Sequence, residues 1–200
     1  MEKVENGIAV KAGKEQESAP QTIAALIRKA SEAGRLISEP EILREAAGRN
    51  LIPSAAPDAA EEAGSLLKKA LAENEELREL TAPDGTRDYY SSEFMTEAYA
   101  RILSLKKGGP RRLIAEVVRQ NSAFYPRPVP LDMFTHPPFN LTSADVQKEL
   151  EEMRAEEGYR DIASTTTSSP RVFLYSTLHL EPDHAAMLAE WLDVGQFENP

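Results

Sequence analysis

Two histidines and two carboxylates fall within six residues of one another: His179, Glu181, Asp183 and His184. Imidazole and carboxylate together are zinc ligands. The pair spans a strand-to-helix junction with no third histidine nearby, however, and His136, beside Pro137-Pro138, is expected in a loop. Asp183 is more simply the N-cap of the last helix, with His184 in its first turn. Ser91-Ser92 and Ser168-Ser169 have no neighbouring histidine and no G-x-S-x-G around them. Neither G-x-x-x-x-G-K nor G-x-G-x-x-G occurs, so nothing cradles a nucleotide phosphate. The absence of cysteine excludes disulfides and thiolate chemistry. The residue inventory predicts a non-enzymatic chain with no metal and no cofactor.

The cations come next. Lys106, Lys107, Arg111 and Arg112 flank Gly108-Gly109-Pro110, a compact basic cluster that could hold a phosphate backbone or simply border a solvated hinge. Lys68, Lys69, Arg87, Lys148 and Arg171 are the other candidate nucleic-acid contacts. They stand in an acidic chain, with a formal net charge of −10. Such a charge repels polyanions at long range and argues against coating DNA or an anionic membrane.

The aromatics offer a different chemistry. Phe124-Tyr125-Pro126-Arg127-Pro128-Val129-Pro130 is an extended, proline-punctuated stretch with one cation. It reads as a polyproline-like segment that docks on a partner, or as a bridge between two helices. Phe124, Tyr125 and Arg127, with Phe197 after Gly195, are the candidate partner contacts.

These residues hang on elements that the sequence sets out twice. Residues 22–107 and 111–195 run through the same series: helix, extended loop, short helix, acidic helix, hairpin, strand, closing helix. Ile23, Leu26, Ile27 and Ala30 open the first copy at helical spacing, and Gly34 stops that helix. Ser38 with Glu41 forms a capping box before Ile42-Leu43, and Asp58 caps a third helix carrying Leu67 and Ala70. Leu77–Leu80 and Arg87–Ser92 are strands joined by the turn Pro83-Asp84-Gly85. In the second copy Val117-Val118-Arg119 matches Leu26-Ile27-Arg28, and Tyr175-Ser176-Thr177 matches Tyr90-Ser91-Ser92. Tyr159–Ile162 is read as a strand, 164–170 as a polar loop and 172–180 as the return strand. The predicted organisation is a flexible tail over 1–20, one unit over 21–107, a hinge at 108–110 and a second unit over 111–196. No apolar run approaches the roughly 20 residues of a membrane span, and the N-terminal residues lack the apolar core of a signal peptide, which predicts a cytoplasmic protein.

Three helices followed by a two-stranded hairpin resemble the winged helix-turn-helix superfamily, here as two tandem copies, each with an added C-terminal helix. The resemblance implies a mainly α fold with small β-hairpins, an α+β chain. It also implies that the third helices, 58–74 and 143–157, would enter a DNA groove, with loops 82–87 and 163–171 as wings. Phosphate neutralisation should then be visible on those helices. Residues 58–79 instead carry three basic against seven acidic side chains, and 143–157 two against six. The expectation is therefore a protein–protein interaction or assembly subunit, with a protein partner or self-association. A DNA-binding transcriptional regulator is the alternative.

Overall fold

The computed structural model describes residues 18–49, 51, 59–82 and 84–195. The tail over 1–17, the expected cap Asp58, and Phe197 lie outside them. The fold is α+β: helices packed on two small antiparallel sheets of three strands each.

The first unit runs α1 (Ala19–Glu32), β1 (Ile37–Ser38), α2 (Glu39–Gly48), α3 (Ala59–Glu73), β2 (Leu77–Thr81), β3 (Arg87–Ser91) and α4 (Glu97–Lys107). The second runs α5 (Pro110–Phe124), β4 (Val129–Pro130), a 3-10 helix (Leu131–Thr135), α6 (Ser143–Ala155), β5 (Ile162–Thr166), β6 (Val172–Ser176) and α7 (Pro182–Glu190), extended by a wide π-type turn through Gly195. The sheet orders are β1-β3-β2 and β4-β6-β5. Their registers correspond: Leu77 faces Ser91 and Thr81 faces Arg87, while Ile162 faces Ser176 and Thr166 faces Val172.

Each unit closes over its own apolar core. Ile23, Ile27, Ile37, Ile42, Leu67, Ala70 and Tyr89 fill the first. Leu113, Ile114, Val118, Phe134, Val146, Met153 and Leu174 fill the second, where Phe139 sets its ring edge-on to Phe134 at 5.3 Å. Leu105 and Ile102 of α4 belong to this second core, so the closing helix of one unit is also a wall of the next. Gly109, at φ 89°, lets the chain turn sharply between α4 and α5, a conformation that an L side chain would strain.

Several expectations are corrected. Ser38 sits at the N-cap of α2, but its side chain accepts no bond; Glu41 accepts from Arg35 at 2.8 Å instead. The full capping box is on α6, where Thr142 and Asp145 exchange bonds. Glu181, not Asp183, holds the N-cap position of α7, because Pro182 starts the helix two residues earlier than expected. Tyr159 closes a single 3-10 turn, and the strand begins at Ile162 and continues through Thr166, into the segment expected as loop. The return strand stops at Ser176, where the chain turns before α7. The two-residue strands β1 and β4 were not foreseen; the second falls inside the proline-punctuated stretch, with Pro130 at its end.

Candidate partner-binding surface

The framework beneath the surface is polar and occurs in both units. The Ser31 hydroxyl, buried on α1, accepts the backbone N–H of Ser91 at 2.8 Å; Ser122 on α5 accepts that of Ser176 at 3.0 Å. Both bonds pin the end of a return strand to the first helix of its unit. Beside them Arg28 donates from Nε to Glu76 at 2.9 Å, and Arg119 donates to Asp161 from Nε at 3.0 Å and Nη2 at 2.6 Å. Burial pushes the Asp161 carboxyl up, but bonds from Arg119 and from the Ser176 hydroxyl outweigh it and hold it below the ordinary carboxylate range. The Asp161 and Glu76 carbonyls accept the N–H of Thr177 and Ser92, each at 2.8 Å.

The basic residues of the joint are drawn inward. Lys106 Nζ donates to the Pro138 carbonyl at 2.7 Å. Lys107 Nζ lies 2.6 Å from the fully buried Asp88 carboxylate. Arg111 is shared among Glu149, Glu152 and Glu156 along one side of α6. Arg112 lies over Gly108, close enough that a Cβ there would meet its side chain. Arg87 pairs with Glu39 at 2.9 Å. Arg171 bridges Asp132 at 2.9 Å and Asp193 at 3.4 Å, with its guanidinium over the Phe173 ring. Lys68 and Lys69 stand exposed on α3, and Lys148 stands exposed on α6, 3.9 Å from Glu152. The carboxylates that meet Arg87, Lys107, Arg111 and Arg171 come from distant segments and were not visible in the sequence. His179 lies in the turn before α7 and His184 in its first turn. Among the described residues no three His, Asp or Glu side chains cluster as metal ligands.

The second unit also leaves several large apolar side chains outside. Phe124 is 77% exposed and Tyr125 68%, with the Arg127 guanidinium over the Tyr125 ring. Beside them a groove of about 320 Å³ is lined by Arg127, Pro128, Pro130, Met133, Phe173 and Leu192, among others. Three of these residues come from the proline-punctuated segment, which both supplies β4 and presents a surface. On α7 Met187 is 60% exposed, and Trp191, in the turn that extends the helix, is 57% exposed. Sequence reading missed these two because their spacing matches the buried stripe of a closing helix. Phe124 and Tyr125 are the candidate partner contacts of the sequence and are exposed. Among the described residues no helix is long and apolar enough to cross a membrane.

Comparison with known proteins finds no solved structure that matches. The chain is similar to the uncharacterized protein YdhW of Escherichia coli (strain K12), at 29% identity over 183 residues, covering 90% of this chain and 80% of that protein. Residues 108–197, from the joint through the second unit, match the family described as the YdhW C-terminal domain.

Proposed function

We propose that the chain is a non-enzymatic protein-interaction or assembly subunit built from two tandem winged-helix-like units. The order helix, strand, two helices and hairpin in each half, with a further helix closing each unit, supports the winged-helix reading. A chain without cysteine fits a reducing, cytoplasmic setting. The observation that carries the interaction reading is the set of large apolar side chains left in water on the second unit: Phe124, Tyr125, Leu178, Met187 and Trp191. Exposed aromatic and methionine side chains are what protein interfaces concentrate at their centres. The third helices α3 and α6 are acidic, and Arg87, Lys107, Arg111 and Arg171 are held by carboxylates of the chain itself.

The alternative, a DNA-binding regulator, has the exposed Lys68, Lys69 and Lys148 in its favour. Sizing together with capture from a lysate tests the first reading. A dimer or larger species, or a retained partner lost on Tyr125→Ser with Trp191→Ser, is expected. A strict monomer that retains nothing sinks it.

A further inference from the structure

The helices α4 and α7 occupy the same place in the two units. Each turns the same inner face to its own sheet: Ala100 and Leu103 pack with Tyr90 and Met95, and Ala185 and Leu188 pack with Tyr175 and Leu180. One constant sequence offset relates all four pairs. The outer faces differ in side chains and in what covers them. On α4, Ile102 and Leu105 pack into the second unit's core, and Lys106 reaches the Pro138 carbonyl. The same offset carries these three positions to Met187, Glu190 and Trp191 on α7 and the turn that extends it. The two apolar ones lie a helical turn apart on one face and stand largely in water.

We infer that this outer face of α7 is an interface between copies of the chain, covered by α1 of the next copy as α4 is covered by α5 within the chain. The inference rests on the reading of the chain as an interaction subunit and names its partner. Helix α1 is the counterpart of α5, with Leu26-Ile27-Arg28 in the place of Val117-Val118-Arg119. At the internal joint Leu105 and Gln120 line one cleft between α4 and α5. The corresponding positions between copies are Glu190 and Lys29. The internal apolar–polar pairing thus becomes a carboxylate facing an ammonium. Lys29 is exposed on α1 with no ion pair among the described residues, and Glu190 is held by the Ser168 N–H and hydroxyl, which leave its charge unneutralised. Because α7 and α1 are different surfaces, the contact is heterologous, and copies add head to tail into a ring or a longer array.

Sedimentation velocity of the full chain over a concentration series tests this. The mean mass should rise beyond that of a dimer as concentration increases. Met187→Ser with Trp191→Ser should return it to monomer. Lys29→Glu should weaken association at least fivefold, and Lys29→Glu with Glu190→Lys should restore it. All these side chains are exposed except Glu190, so unchanged circular dichroism is expected, and Met187→Ser alone serves if the double variant unfolds. A monomer at every concentration, an assembly that stops at a two-fold dimer, or one indifferent to Lys29 overturns the inference. A monomer that still captures another protein through Met187 and Trp191 overturns the inference alone; a monomer that captures nothing overturns the interaction reading as well.

Discussion

Lys107 Nζ and the Asp88 carboxylate meet at 2.6 Å, and the carboxylate is fully buried while the lysine stem reaches solvent. The other Asp88 oxygen accepts from Ser104 at 3.3 Å. Both donors sit on α4 and the acceptor on β3, so this pair fastens the closing helix to the first sheet. The same helix carries Ile102 and Leu105 into the second core, which makes the pair a support for the joint between the units. Lys107→Ala leaves a buried carboxylate with one neutral donor. The expected loss is about 3 kcal/mol in urea unfolding, since removing one partner of a buried pair strands the other. An unchanged midpoint would show that water replaces the lysine without cost.

The two buried serines should behave as counterparts. Ser31→Ala and Ser122→Ala each orphan one buried backbone N–H, at Ser91 and Ser176. Each should cost about 1–3 kcal/mol. The sites lie in separate cores, so the double variant should lose the sum of the two. Denaturant midpoints of the three variants check this, and a double variant no worse than either single one would contradict it.

Acid sensitivity should trace in part to Asp161. Its folded carboxyl is held below the ordinary carboxylate range, so its stabilising contribution is fully present above that range. That contribution is lost as pH falls through the depressed folded value. At neutral pH Asp161→Asn should be less stable than wild type by about 2 kcal/mol, because charge-assisted bonds from Arg119 are weakened. The difference should shrink as pH is lowered from 7 to 3. A gap that stays constant over that range would mean the ion pair is not its source.

Phosphate contact has its own signature. Fluorescence anisotropy against random duplex DNA should show no binding even at low salt, given the acidic third helices and the paired cations. Binding that falls steeply with salt and weakens on Lys68→Ala with Lys69→Ala would instead favour the regulator. Loss of binding only with Lys107→Ala would reflect instability, which the unfolding measurement identifies separately.

Much of the framework was legible because helical spacing and turn residues act locally. Gly34, Asp84-Gly85 and Gly108-Gly109 punctuate the chain at the places where elements end. The strands β1 and β4 were not legible: two residues are too few to show alternation, and their pairing depends on backbone bonds to β3 and β6. Tyr159–Ile162 misled because a lone 3-10 turn and a short strand can carry the same apolar–polar alternation. Asp161 looked like one acid among many; the signal that could have found it is the match of Arg119 to Arg28, since a cation beside a buried stripe needs a carboxylate from elsewhere. The joint cations were visible, but Glu149, Glu152 and Glu156 meet Arg111 only after α5 and α6 pack together. Phe124 and Tyr125 stood out because the prolines that follow them mark an extended stretch, whereas Met187 and Trp191 have the spacing of a closing helix that the sequence alone would bury.

The central claim is that the apolar side chains of the second unit exist to be covered by protein. The most direct measurement is light-scattering mass determination with lysate capture, run in parallel on wild type and on the Tyr125→Ser, Met187→Ser, Trp191→Ser triple variant. The account predicts a wild-type chain that associates with itself or retains a protein, and a folded variant that does neither. A wild-type monomer that retains nothing, or a variant indistinguishable from wild type, would contradict it.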